Sequence, residues 1–246
     1  MKNLLITTAL CAGFSTNAFA GNFATNLTQG WGGEASLSGS TTSGNTKTTD
    51  IGLALHLTKQ NGAWTNKFDT TYDLGKSGGV DNKNRFFIGY QLDRQINDRL
   101  YAYGNVNYYT DDFGAYKQGS FIGTGLGYKV IQENPLKWNV EAGIGYKSQK
   151  LREIGIIPSI KTDEFAVRGA SDFGYIFSEA VSFYNKSEVI WSESDTYLWN
   201  DTGITANLAG NLAARFSFRV DHHTDVPFGV KKTDTITRAA IVYTLK

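Results

Sequence analysis

Three features are scarce in this sequence, and each scarcity argues against a class of protein. The 246 residues include one cysteine and three prolines, and the formal net charge is only +1. A nucleic-acid-binding surface is normally clearly basic, so this charge argues against one. No apolar run approaches the roughly 20 residues of a membrane-spanning helix. The mean hydropathy of −0.30 is also too low for a helical membrane protein, but it is compatible with a membrane β-barrel, in which only alternate residues need be apolar.

Residues 1–20 predict a secretory signal peptide. Lys2 supplies a positively charged start, residues 4–14 form a short apolar run, and an A-x-A motif ends at Ala20. This order of charge, apolar run and small residues is the pattern that signal peptidase recognises. We therefore expect cleavage between Ala20 and Gly21.

The predicted mature domain, residues 21–246, has no cysteine, because Cys11 lies in the leader. It can form no disulfide and no thiolate metal site. The whole chain contains 27 glycines, 13 tyrosines and 15 phenylalanines. That composition is typical of strands and turns, and it does not fit a helical or disordered chain.

An alternating pattern in residues 50–59 predicts a strand with one apolar face. The apolar face consists of Ile51, Leu53, Leu55 and Leu57. The side chains between them are small or polar, and successive residues of a strand point to opposite sides. The pattern recurs about a dozen times without a helical period. It predicts an all-β fold, an antiparallel up-and-down transmembrane β-barrel of about twelve strands.

Closure, connections and tryptophans favour a membrane barrel. An even number of antiparallel strands closes without an exposed edge, as hydrocarbon requires. Short turns alternate with longer connections, as in outer-membrane barrels. Trp31, Trp64 and Trp138 lie where upward strands begin, which predicts one interfacial girdle. The longer loops are predicted at residues 75–82, 111–118, 149–162 and 224–233.

Ionised side chains fall on the face opposite the apolar one. A Lys or Arg at the middle of a bilayer costs about 2–4 kcal/mol, so these side chains are expected inside. The predicted interior-lining charges are Arg85, Lys129, Glu141, Arg168, Asp172, Lys186, Glu188, Arg215, Arg219, Asp221 and Arg238. Two interpretations stay open: a salt-bridged, water-bearing interior that holds the barrel together, or a narrow pore for small polar solutes and ions.

A motif near the start of the domain supports a family resemblance. Residues Trp31–Thr46 read W-x-G-E-A-x-L-x-x-S-x-T-S-G-N-T, and the strand-rich body ends in Tyr243–Leu245. Over about residues 30–246 the chain resembles the salt-induced outer-membrane protein family of Gram-negative bacteria. The resemblance implies a β-barrel of the bacterial outer membrane, and the family name suggests a salt or osmotic response. We expect a monomer in outer-membrane lipid, inserted by the barrel-insertion machinery, with no nucleic-acid partner, no cofactor and no enzymatic activity.

A lipid hydrolase and a surface receptor or adhesin are the alternative functions. An outer-membrane lipid hydrolase would need a serine beside a histidine, but Ser217 and His223 are about 20 Å apart along one strand. A metal site at His222 and His223 is disfavoured because adjacent strand residues point in opposite directions. A surface receptor or adhesin could use the loop at residues 149–162.

One strand breaks the alternation. Asn185 and Ser187 fall on the face that should contact lipid. A β-bulge, a shift of register or a contact with protein would each explain them, and the sequence leaves the three explanations open.

Overall fold

A computed structural model describes residues 30–44, 48–153 and 159–245. Within these residues the chain forms twelve strands: β1 Gly32–Ser43, β2 Thr48–Asn61, β3 Trp64–Ser77, β4 Val80–Gln95, β5 Leu100–Asp111, β6 Tyr116–Glu133, β7 Leu136–Leu151, β8 Lys161–Ile176, β9 Val181–Ser192, β10 Thr196–Ala209, β11 Leu212–His223 and β12 Thr233–Leu245. The described part contains no helix that is long and apolar enough to cross a membrane. The predicted signal peptide lies outside the described residues.

The strands form one closed antiparallel barrel in which each strand pairs with its neighbours in sequence. Closure is made by β1 and β12, where Leu37 lies opposite Ile241. The other edge of β1 pairs with β2, where Leu37 lies opposite Leu53. No strand is therefore left with an unpaired edge. The predicted all-β, antiparallel, twelve-stranded barrel is confirmed.

The predicted apolar face covers the outside of the barrel. Large apolar side chains there are strongly exposed, at 56% for Leu53, 62% for Ile122 and 83% for Phe165. By contrast, the buried set includes many polar and charged residues, among them Asp73 and Arg168. This distribution is the reverse of a soluble protein, in which burial of a charge is rare.

Aromatic rings lie flat against the inner wall where glycines leave room. A Cβ built on Gly127 would meet the Tyr101 ring at 2.1 Å, and one on Gly143 would meet the Tyr103 hydroxyl at 2.4 Å. The alternating glycines of β6 and β7 thus make space for the rings of β5. The tyrosine rings occupy the space that side chains on these glycine positions would otherwise fill.

The strands extend further than predicted, so several loops are shorter. The predicted loop at residues 75–82 is mostly strand, because β3 and β4 meet at a tight turn through Gly78 and Gly79. Both glycines have positive φ, at 58° and 82°, a conformation that side chains with a Cβ disfavour. These strand ends were not predicted because most of their residues are polar on both faces. The apolar alternation stops there, although the hydrogen bonding between β3 and β4 continues.

Candidate functional site in the barrel interior

An ion pair spans the interior near the end of the barrel where β3 joins β4 and β11 joins β12, here called the outer end. Arg85 of β4 donates from Nη1 to Asp221 Oδ2 of β11 over 3.3 Å. On the shorter way round the sheet, β12, β1, β2 and β3 lie between these strands. The contact therefore crosses the interior from one wall to nearly the opposite one.

Asp221 is held by more than Arg85. Arg219, two residues away on β11, donates from Nη2 to Asp221 Oδ1 over 2.9 Å, and the Tyr197 hydroxyl donates to the same oxygen. The Arg219 guanidinium also stacks over the Trp199 ring at 4.5 Å. These contacts surround one carboxylate with two cations and a phenol, which fixes its position in the barrel interior.

Two further contacts reach across neighbouring strands at the outer end. Arg238 of β12 donates to Asp73 Oδ2 of β3 over 2.6 Å. Lys83 of β4 donates to Asp50 Oδ2 of β2 over 2.5 Å and to Thr42 Oγ1 of β1 over 2.8 Å. Together with the Arg85–Asp221 pair, these contacts link β11, β12, β1, β2, β3 and β4 through their inner faces.

A second cluster is centred on Arg168 of β8. Its Nε donates to Glu188 Oε2 of β9 over 2.6 Å, and its Nη1 donates to Glu141 Oε2 of β7 over 2.7 Å. The guanidinium lies 5.1 Å from the centre of the Tyr103 ring. Gln91 Nε2 of β4 donates to the other oxygen of Glu141 over 2.8 Å. One buried cation thus contacts two carboxylates, and β4 is joined to β7 across β5 and β6.

The remaining predicted residues belong to the same inner set. Arg215 of β11 makes a two-point contact with Glu34 of β1 at 2.5 and 2.7 Å. Lys129 donates to Gln95 Oε1 over 2.6 Å. Asp172 lies opposite Lys186 in the β8–β9 register.

Residues in predicted loops or turns complete the outer end and were missed by sequence reasoning. The Asp195 carboxylate has no exposed surface, and it accepts from His223 Nδ1 at 2.7 Å and from Lys147 Nζ at 3.1 Å. Burial tends to raise the pKa of Asp195, but the hydrogen bond and charge of His223 and the charge of Lys147 hold that pKa well below its usual range. No local sequence signal marks Asp195, because its partners come from other hairpins.

His223 is also enclosed by two rings. The Tyr197 ring stacks on it with centres 4.6 Å apart, and the Tyr116 ring lies 4.7 Å away at an angle of 43°. Tyr116 belongs to β6, whereas His223 ends β11, so this contact also bridges distant walls. Aromatic rings and the Asp195 cluster therefore narrow the same end that the Arg85–Asp221 pair crosses.

The geometry offers little to hydrolysis or metal binding. His56 Nδ1 contacts Asp69, and His223 contacts Asp195, but no serine of the described residues hydrogen-bonds to either imidazole. His222 instead contacts Thr233 Oγ1 at 2.8 Å. Within the same residues, no three His, Cys, Asp or Glu side chains come together as metal ligands.

The chain is a closed antiparallel β-barrel with apolar side chains outside and paired charges inside. The chain belongs to the family described as "Protein of unknown function, DUF481", which matches residues 35–245. The predicted salt-induced family name is not established by this match. No curated protein matches the chain.

Solved structures of outer-membrane channels share the fold. The NanC porin has a TM-score of 0.58 at 9% identity, over 86% of this chain and 100% of that chain. An outer membrane channel from Pseudomonas putida F1 has a TM-score of 0.52 at 9% identity, over 87% of this chain and 95% of that chain. At such identity the likeness concerns the fold alone.

Proposed function

We propose that this protein is a narrow channel of the bacterial outer membrane for small polar solutes and ions. The observation that carries the proposal is the Arg85–Asp221 contact inside a closed barrel whose outside is apolar. Paired charges can also hold a closed barrel together, and the bilayer recording described below separates a channel from such a structural barrel.

The membrane location is supported by the outer surface. Phe165, Ile122, Leu53 and similar side chains are exposed on strands whose inner faces carry the charges. In water this surface would favour aggregation, whereas lipid solvates it. The predicted signal peptide at residues 1–20 and the family resemblance both fit export to the outer membrane of a Gram-negative bacterium.

The interior charges would determine which ions and solutes pass through the proposed channel. Cations and anions are paired along the wall, so no single sign of charge dominates the passage. A small ion or polar solute can exchange its water for these groups, whereas a bulky solute must separate Arg85 from Asp221. Salt screens charge pairs most where water reaches them, so any effect of external salt should be largest at the more exposed interior pairs. Such an effect would give a physical basis for the salt or osmotic role that the resemblance suggests.

Planar-bilayer recording on the purified full chain tests the proposal. Arg85→Ser removes the contact that crosses the interior, so its single-channel conductance should exceed that of the wild type. Lys76→Ser is the matched control, because Lys76 pairs with Asp81 at the exposed end of a hairpin and should leave conductance unchanged. Silence of the wild type and of Arg85→Ser at every salt concentration would leave a structural barrel without a channel.

A further inference from the structure

We infer that the outer face of β9 and β10 is a contact surface for a second copy of this chain within the membrane. The surface, here termed the amide patch, consists of Asn185, Ser187, Asn200 and Thr202. The inference rests on the membrane location proposed above. It goes beyond the channel, because none of these side chains faces the interior.

The amide patch is a closed ring of hydrogen bonds. Asn185 Nδ2 donates to Thr202 Oγ1 over 2.6 Å, and the Thr202 hydroxyl donates to Asn200 Oδ1 over 2.9 Å. Asn200 Nδ2 donates to Ser187 Oγ over 2.7 Å, and the Ser187 hydroxyl donates to Asn185 Oδ1 over 3.3 Å. The four side chains therefore form one preorganised unit.

The register rules out two of the three explanations that the sequence left open. Asn185 lies opposite Thr202 and Ser187 lies opposite Asn200, and the pairing of β9 with β10 continues without a bulge or shift. The pairing with β8 is equally regular, with Ser171 opposite Ser187. The polar side chains thus occupy true lipid-facing positions, where they hydrogen-bond to one another. Of the three explanations, a protein contact is the one that this register is compatible with.

The surroundings place the amide patch inside the apolar band. On β9 the outward positions on either side are Phe183 and Val189, and on β10 they are Leu198 and Ile204. Lipid headgroups lie at the two edges of such a band, so they cannot reach its middle. Acyl chains do reach it, but they offer neither hydrogen-bond donors nor acceptors.

The unused hydrogen-bonding capacity identifies the occupant. An Asn amide has two N–H donors and a carbonyl with two lone pairs. The ring uses one donor and one lone pair of each amide, and among the described residues neither amide makes another hydrogen bond. Each amide thus keeps one donor and one acceptor that the ring does not use. A second amide patch, turned by a two-fold axis, presents the complementary groups, as an isologous dimer requires.

The neighbours of the amide patch on β8 are one hydroxyl-bearing and one aromatic residue. Ser171 lies opposite Ser187 and Phe173 lies opposite Asn185, and Trp138 Nε1 donates to Ser171 Oγ over 3.0 Å. In membranes, small and hydroxyl-bearing residues are enriched where segments pack together, since backbones can approach and polar groups can pair. The proposed dimer differs from the monomer that we expect from the sequence.

Disulfide crosslinking in isolated outer membranes tests the contact directly. The predicted mature chain has no cysteine, because Cys11 lies in the leader, so a single introduced thiol is unambiguous. Ser187→Cys should give a disulfide-linked product of twice the monomer mass on mild oxidation. Leu53→Cys is the matched control: it is equally lipid-facing but lies on β2, on the other side of the barrel, and it should stay monomeric.

A second measurement separates assembly from folding. The wild type should sediment as a dimer in mild detergent, and the double variant Asn185→Leu/Asn200→Leu should sediment as a monomer while remaining folded, as judged by heat-modifiable migration. A wild type that is inserted but monomeric, a double variant that stays dimeric, or a Ser187→Cys product with the mass of a different protein would each overturn the inference and leave the channel intact. A wild type absent from the membrane fraction would overturn the proposed location and this inference with it.

Discussion

The two faces of β9 and β10 carry polar networks of opposite character. On the inner face, Glu188 binds the Arg168 guanidinium and accepts from Trp199. On the outer face, the neighbouring Ser187 belongs to a ring of amides and hydroxyls that carries no charge. The strands are the same, and the proposed membrane location accounts for the difference. A water-bearing interior tolerates ionised groups if they are paired, whereas lipid tolerates only neutral groups that satisfy one another.

The largest effect is expected from removing the inner cation. Arg168→Met leaves Glu141 and Glu188 buried without their partner, and loss of one member of a buried pair costs about 3–5 kcal/mol. The free energy of unfolding in urea, followed by tryptophan fluorescence in lipid vesicles, should fall by that order. Arg168→Lys keeps the charge and should lose less. Equal losses for the two variants would show that charge balance does not hold the inner network together.

A smaller effect should follow from adding one methyl group to the inner wall. A Cβ on Gly143 would lie 2.4 Å from the Thr124 carbonyl oxygen, so Gly143→Ala should cost about 1–3 kcal/mol through overpacking. The control is Gly104→Ala, because a Cβ there meets nothing closer than 3.9 Å. The same unfolding measurement should leave Gly104→Ala near the wild type. If the two variants have the same free energy of unfolding, the inner wall can accommodate an added methyl group despite the short distances around Gly143.

A charge on the outer network tests the contrast between the faces. Asn200→Asp preserves shape but places a carboxylate in the apolar band, and it should lower the free energy of unfolding by about 1–2 kcal/mol at neutral pH. Because the charged form is disfavoured in lipid, acidification should protonate the side chain and reduce the loss. A loss that persists at low pH would argue that shape or hydrogen bonding, and not charge, is the limiting property.

The smallest effect concerns the Asp195 cluster at the outer end. His223 and Lys147 hold the pKa of Asp195 well below its usual range, so the stability it contributes is present above the ordinary aspartate pKa of about 4 and is lost as the pH falls toward the lowered value. Asp195→Asn should therefore lower the free energy of unfolding by about 1 kcal/mol at pH 7. Urea titrations at several pH values should show the gap to the wild type closing below about pH 4. A gap that is independent of pH would contradict the ionic contribution of Asp195.

Much of the barrel was predictable because alternation is a local property. Residues 50–59 alone indicate which side chains face outward, and the same pattern predicts the number of strands. The polar strand ends around Gly78 and Gly79 were not predictable, since hydrogen bonding continues there without an apolar face. The Arg85–Asp221 pair was also out of reach, because its members are 136 residues apart and meet only after closure.

By itself, the sequence determined the fold class and the face on which each charge lies, because both follow from the two-residue period of a strand. Only the tertiary structure decided which charges pair, since partners such as Arg238 and Asp73 come from strands that closure brings together. It also explained Asn185, which breaks the alternating pattern in the sequence. The register of β9 and β10 makes it one of four side chains in a hydrogen-bonded ring.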